Sequence, residues 1–224
     1  MSIAVKAWLT VGMIALVGYT GFSVLRIAKE RRARPVASNA VRPEQSIITA
    51  QSVDLGSFSM TAQDGEPFKF QQLNGKVWIA NLFFSNCAYL CRDLSNKVAE
   101  LHRDPDFDDV QFVSITVDPT IDTPLVLARS AREYKADTSQ WVFLNGEMHE
   151  VERFGKQVKV SVRPKTHSPR LLLFDRQGVL QDYYLFNEAE DIDRLREKVK
   201  ALKAEQMDGD DSRNKKNGTS ASQS

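Results

Sequence analysis

Only two cysteines and three histidines occur in the 224 residues. So small a cysteine set excludes a disulfide-stapled scaffold and leaves one pair, which is a structural bridge, a redox couple or two metal ligands. Excess charge of either sign is also missing, because 30 Lys and Arg face 29 Asp and Glu along the chain. Without a clustered basic excess, no nucleic acid is expected as a partner. No internal repeat is apparent. What remains is a globular composition, 42% hydrophobic and 26% charged. At this length one domain with appendages is favoured over two.

The cysteines, Cys87 and Cys91, lie directly after a strand-like run, Val77 to Phe84, and directly before a helix-like pattern. That order places the first thiol at a helix N-terminus, where the macrodipole and unpaired N–H groups favour an anionic nucleophile or ligand. The four-residue spacing is expected to bring the second thiol onto the same helical face, within roughly 5 to 6 Å, so that one metal ion or one disulfide joins them. A bridge closing so short a loop restrains the unfolded chain little and reduces easily, which argues against a purely structural role. The opposite reading, two buried small hydrophobes, fits poorly beside Ser85-Asn86 and Arg92-Asp93. A third candidate, His167, sits in Lys165-Thr166-His167-Ser168-Pro169 just before the apolar run Leu171 to Phe174. Two soft thiolates and one imidazole suit copper or zinc. His102, near the end of the helix after the cysteines, and His149, beside Glu147 and Glu150, read as solvated surface residues.

At the N-terminus, Ala7 to Leu25 is a 19-residue run without a charge. As a helix it spans about 28 Å against a hydrocarbon core of about 30 Å, so a single transmembrane anchor is expected at 7–25 behind a short segment 1–6. A cleaved signal peptide is disfavoured because the small residues near Ala37 to Ala40 lie past five basic side chains. No lipid-modifiable cysteine follows the run, which removes a lipoprotein reading. Residues 26–52 read as a basic, flexible linker. Its opening stretch, Arg26 to Arg34, is strongly basic, and the positive-inside rule would place the following domain in the cytoplasm. Residues 206–224 carry nothing able to join a core and read as a disordered tail.

Between these ends, residues 53–205 alternate in type. Phe58–Thr61 and Phe68–Phe70 flank Asp64-Gly65, a hairpin signal. Strand Val77–Phe84, helix Leu90–Arg103 and the near-continuous apolar strand Val110–Val117 follow. Pro124 opens a helix to about Tyr134. Then come Trp141–Leu144, a short helix at Glu147–Phe154, Leu171–Asp175, a turn at Gln177-Gly178, Val179–Leu185 and a helix Glu188–Lys203. This order predicts a thioredoxin-like α/β fold: a central mixed sheet flanked by helices, with an N-terminal β-hairpin, behind the transmembrane helix.

Over roughly residues 53 to 204 the chain resembles the Sco/SenC family. The resemblance rests on Gly75-Lys76-Val77-Trp78, Phe84-Ser85-Asn86-Cys87 with Cys91, Val113 to Pro119 followed by Asp122-Thr123-Pro124, and Trp141, His167-Ser168 and Leu173-Phe174-Asp175 with Gly178. It implies a thioredoxin-fold protein that binds copper, as Cu(I) or Cu(II), through Cys87, Cys91 and His167, and that assists the copper centre of cytochrome oxidase. Asp118 then orients a ligand or the loop from behind the ligands, or else is a strand-end turn residue before Pro119. Implied partners are the copper-bearing oxidase subunit or another copper chaperone. The chain departs from the family where prolines typically follow each cysteine, having Ala88 and Arg92 instead. Ala88 allows the loop more conformations, and Arg92 sets a cation beside Cys91.

The resemblance also implies an extracytoplasmic domain, against the positive-inside rule. With the apolar run starting at residue 7 there is no room for a transit peptide, so a bacterial inner membrane is expected. The main alternative is a thiol-disulfide oxidoreductase in which Cys87 attacks and Cys91 resolves without any metal. A thiol peroxidase and an assembly factor without chemistry are further options.

Overall fold

The computed structural model describes residues 51–87, 89–166 and 168–218. In chain order the strands are β1 (Gln51–Ser52), β2 (Met60–Ala62), β3 (Pro67–Phe68), β4 (Trp78–Phe83), β5 (Gln111–Thr116), β6 (Trp141–Asn145), β7 (Arg170–Phe174) and β8 (Val179–Leu185). The helices are α1 (Leu90–His102), α2 (Pro124–Glu133), α3 (Met148–Gln157) and α4 (Ala189–Gly218). One mixed sheet takes all the strands in the order β1-β8-β7-β4-β5-β6-β2-β3.

Its middle is parallel. β4 pairs with β5 from Trp78↔Gln111 to Phe83↔Thr116, and β5 pairs with β6 from Phe112↔Trp141 to Ile115↔Leu144. All six residues of β4 are buried, as are all of β5 except Gln111, which is half-buried. Such two-sided burial is what a central parallel strand under helices requires, and it explains the unbroken apolar runs. β7 returns antiparallel on the other side of β4, with Asn81 opposite Leu171. Within this sheet, Trp78 and Phe174 face each other across the β4–β7 pair as stacked rings. Packing on α1 comes from Leu94, Val98 and Leu101, spaced three and four apart. α4 lays Ile192, Leu195, Val199 and Leu202 into the core. Its basic side chains grip the acidic turn after α1, with Arg196 2.7 Å from Asp104 and Lys203 2.6 Å from Asp109.

The observed elements follow the expected order, most shifted by only a few residues, but the last helix runs to Gly218, fifteen residues past its expected end at Lys203 and through most of the stretch that reads as a disordered tail. The hairpin is β2–β3, turning at Gly65, whose φ of 89° lies in the left-handed region that glycine tolerates best. The sheet also takes in Gln51 and Ser52, the last two residues of the stretch that reads as linker, paired with Leu180 and Val179. α4 is helical through Gly218, beyond Leu202, its last buried residue among the described side chains.

The expectation for one histidine fails. His102 is not a solvated surface residue. Its ring packs between Phe112 and Trp141, with centroids 5.9 and 5.6 Å away, and burial lowers its pKa. His149 does stand on the surface, beside Glu150 at 3.1 Å. Among the described residues no helix is long and apolar enough to cross a membrane, and the expected anchor at 7–25 lies outside them.

Candidate metal centre

Parallel pairing brings the C-terminal ends of β4 and β5 to one edge of the sheet, and the antiparallel return of β7 starts at that same edge. The chain leaving β4 carries Cys87 and the chain leaving β5 carries Asp118 and Asp122. The loop entering β7 contains position 167. Topology therefore gathers Cys87, Cys91, Asp118 and Asp122 at one end.

Cys87 is half-buried in the turn before α1, and Cys91 is buried in that helix's first turn. They meet by a route other than the expected one. Helix α1 begins at Leu90, so Cys87 precedes it and does not share a helical face with Cys91. Instead the Cys91 backbone N–H donates to Cys87 Sγ at 3.2 Å, so that the thiol occupies the place of a capping side chain and satisfies a first-turn N–H. Burial pushes the Cys91 thiol up to about 12, reinforced by its hydrogen bond with the Cys87 side chain and by the Cys87 and Asp122 charges. A cation bound between the sulfurs would reverse that penalty, because thiolates are the metal-binding form.

Sequence reasoning gave no role to Asp122, which is fully buried. Its carboxylate accepts from Ser85 N at 3.0 Å, from Ser85 Oγ and from Thr116 Oγ1 at 2.5 Å. Asn145 Nδ2 holds the adjoining backbone, donating to Asp122 O at 2.7 Å and Pro119 O at 2.9 Å. The cysteine loop is thereby fixed to the end of β5 and to the start of α2. The signal was present as the spacing Asp118…Asp122, but the partner that reveals its purpose, Ser85, lies 37 residues away in sequence.

Asp118 is buried too, and its backbone N–H donates to Thr116 Oγ1 at 3.0 Å. Its carbonyl takes the N–H groups of Ile121 and Asp122, as a turn residue does. Its carboxylate faces Lys165 Nζ at 3.6 Å, while the Lys165 backbone N–H donates to Val117 O at 3.1 Å. Lys165 adopts a φ of 58°. Asp118 thus shapes the turn and pairs with a side chain of the loop between β6 and β7. His167 itself lies outside the described residues, as does Ala88. Among the described residues no three His, Cys, Asp or Glu side chains form a cluster able to hold a metal ion. The two sulfurs are the expected ligands that the described residues bring together.

A groove of about 320 Å³ opens beside the sulfurs between α1 and α2, with Arg92, Arg129, Glu133 and Tyr134 in its walls. Arg92 lies 3.8 Å from Glu133 across it.

The mixed sheet, the flanking helices and a paired thiol at the head of the first long helix define a thioredoxin-like protein with a dithiol site. The family model SCO1/SenC matches residues 48–204, and the chain belongs to that family. It is 29% identical over 150 residues to the SCO1 protein homolog of Bacillus subtilis, covering 62% of this chain and 78% of that protein. Of the mitochondrial relatives it matches, the chain spans about half the length. BsSco, described as a member of the Sco family of cytochrome c oxidase assembly proteins with a disulfide switch, superposes with a TM-score of 0.61 at 26% identity, over 69% of this chain and 95% of that one. Yeast Sco1 with copper bound gives 0.53 at 26% identity, over 64% and 86%.

Proposed function

We propose that this chain is a membrane-tethered copper-binding protein. It delivers copper to the copper centre of cytochrome c oxidase during assembly, or keeps that centre's cysteines reduced. The observation that carries the reading is the 3.2 Å contact from Cys91 N–H to Cys87 Sγ, which holds two soft donors together at the edge where the loop to position 167 arrives. Yeast Sco1, a similar structure, is one that binds copper. In this reading Cys87, Cys91 and His167 are the ligands, and Asp118 acts on the loop from behind. A three-donor site grips Cu(I) through sulfur and leaves the ion open to an incoming ligand. The proposed organisation is an anchor at 7–25 preceded by residues 1–6, a linker at 26–52, the domain at 53–205 and a tail at 206–224. It sits in a bacterial inner membrane with its domain outside the cytoplasm.

A second reading is favoured by the asymmetry of the pair. Cys87 is the more exposed sulfur and accepts a helix N–H, while Cys91 is buried and held as a thiol. That is the division between an attacking and a resolving cysteine in a thiol-disulfide oxidoreductase. Reducing a partner disulfide would leave a Cys87–Cys91 disulfide and two thiols on the partner.

Copper titration of the full chain in detergent separates the two. His167→Ala, Cys87→Ser and Cys91→Ser each weaken copper binding under the first reading. Intact binding in His167→Ala, together with loss of partner-disulfide reduction in either cysteine variant, would establish the second instead.

A further inference from the structure

We infer that the face around the sulfur pair is a docking surface for an acidic, cysteine-bearing segment of another protein. This rests on the reading above only in expecting an incoming thiol, whether it takes metal or exchanges disulfides. Three large apolar side chains stand exposed among the described residues: Tyr89 at 82%, Leu125 at 63% and Ile121 at 49%. All three belong to this one end of the molecule. Tyr89 lies between the cysteines, Ile121 lies in the turn closed by Asp118, and Leu125 lies in the first turn of α2 next to Val126, which lines the groove with both sulfurs. Asp122 draws these stretches together through its bonds to Ser85. A tyrosine and aliphatic residues left uncovered beside a reactive pair have the composition of an interface centre.

Charge selects the occupant. Arg92 and Arg129 line the groove, and Glu133 is the one acid there. Glu133 lies opposite Arg92, while Arg129 is exposed and has no acidic partner within 4 Å among the described residues. The groove therefore carries surplus positive charge and is matched by an acidic segment. A second copy of this chain would set arginine against arginine. The sulfurs lining the same groove fix the remaining feature, a cysteine on the visitor.

The test uses the reduced full chain in a neutral detergent and two synthetic peptides. Each carries one cysteine activated as a 2-thiopyridyl disulfide, flanked by glutamates in one peptide and by lysines in the other. The Cys87 thiolate attacks the peptide sulfur, a Cys87–peptide S–S bond forms, and the pyridyl S–S bond breaks with its electron pair leaving on thiopyridone, whose release is timed. The glutamate peptide is expected to react at least about tenfold faster at low salt, with the gap closing towards about 1 M salt. Arg129→Glu abolishes or inverts that preference, and Tyr89→Ala slows the glutamate peptide. Small neutral dithiodipyridine reacts alike with all three forms. Equal rates for the two peptides, or a preference that survives Arg129→Glu, overturn the proposal. If Arg129→Glu does not fold, the wild-type ratio and its salt dependence decide alone. Copper titration of the same sample keeps the two readings apart. Charge-selective rates without copper binding would sink the copper reading and keep the docking surface, and copper binding with charge-blind rates would do the reverse.

Discussion

Asp122 illustrates how a single side chain organises the site. Its two oxygens answer three donors, from Ser85 and Thr116, in a place with no access to water. Asparagine is nearly isosteric but offers one acceptor oxygen and turns a donor toward donors. Asp122→Asn is expected to cost about 1 to 3 kcal/mol in urea denaturation and to raise the alkylation rate of the cysteines, as the loop loosens. Unchanged stability would show that the carboxylate is dispensable. His102 makes a different prediction. Burial is the main cause of its lowered pKa, with Arg103 acting in the same direction and Asp137 opposing. Neither ring nitrogen has a hydrogen-bond partner among the described residues. The unfolded chain takes up a proton near the ordinary value of 6.5, which the folded protein resists. Stability is therefore complete above that pH and is lost as pH falls from there through the lower folded value. The urea midpoint should drop more between about pH 7.5 and 5.5 in the wild type than in His102→Phe, and equal drops would remove the histidine from the account. Its burial was illegible because the pocket is built by Phe112 and Trp141, strand residues that meet α1 only in three dimensions.

Helices α2 and α3 end alike. Lys135 and Lys159 take left-handed φ values of 53° and 51°, and the next residues, Ala136 and Val160, donate back to Ala131 O at 2.9 Å and Gly155 O at 2.8 Å. Both are Schellman closures with lysine where glycine is usual. Replacing either lysine by glycine relieves left-handed strain of about 1 to 2 kcal/mol less the extra chain entropy glycine carries, a net gain of up to about 1 kcal/mol. Thermal midpoints of Lys135→Gly and Lys159→Gly should rise, and a fall in both would refute the strain argument. No glycine marks either end, and although the α2 end was read within one residue at Tyr134, α3 runs three residues past Phe154 to Gln157. Starts were clearer. Pro124 opens α2 as read, and the buried strands β4 and β5 announce themselves by apolar runs longer than any loop tolerates. The cysteine contact was foreseen as proximity but not by its means, because helical spacing assumed a helix that reaches back to Cys87.

At the scale of the whole chain, order of elements and fold class could be read from periodicity, whereas the meeting of β4, β5 and β7 at one edge came only with the sheet register. For the proposed membrane-tethered form, orientation sets two arguments against each other, the basic stretch after residue 25 and the extracytoplasmic domain that the family resemblance implies. A single introduced cysteine, Ser38→Cys, in a chain whose own two are serine, decides between them. Labelling of intact cells by an impermeant maleimide is the expected outcome, and protection until lysis would put the domain inside.

Ser85 and Thr116 lean on one carboxylate, and two residues beyond that carboxylate begins the helix that carries Leu125 and Arg129. A shift of the sulfur-bearing turn would be passed along this linkage to the rim. If the chain carries copper as proposed, its loaded and empty forms would offer a visitor different shapes before a single sulfur is touched.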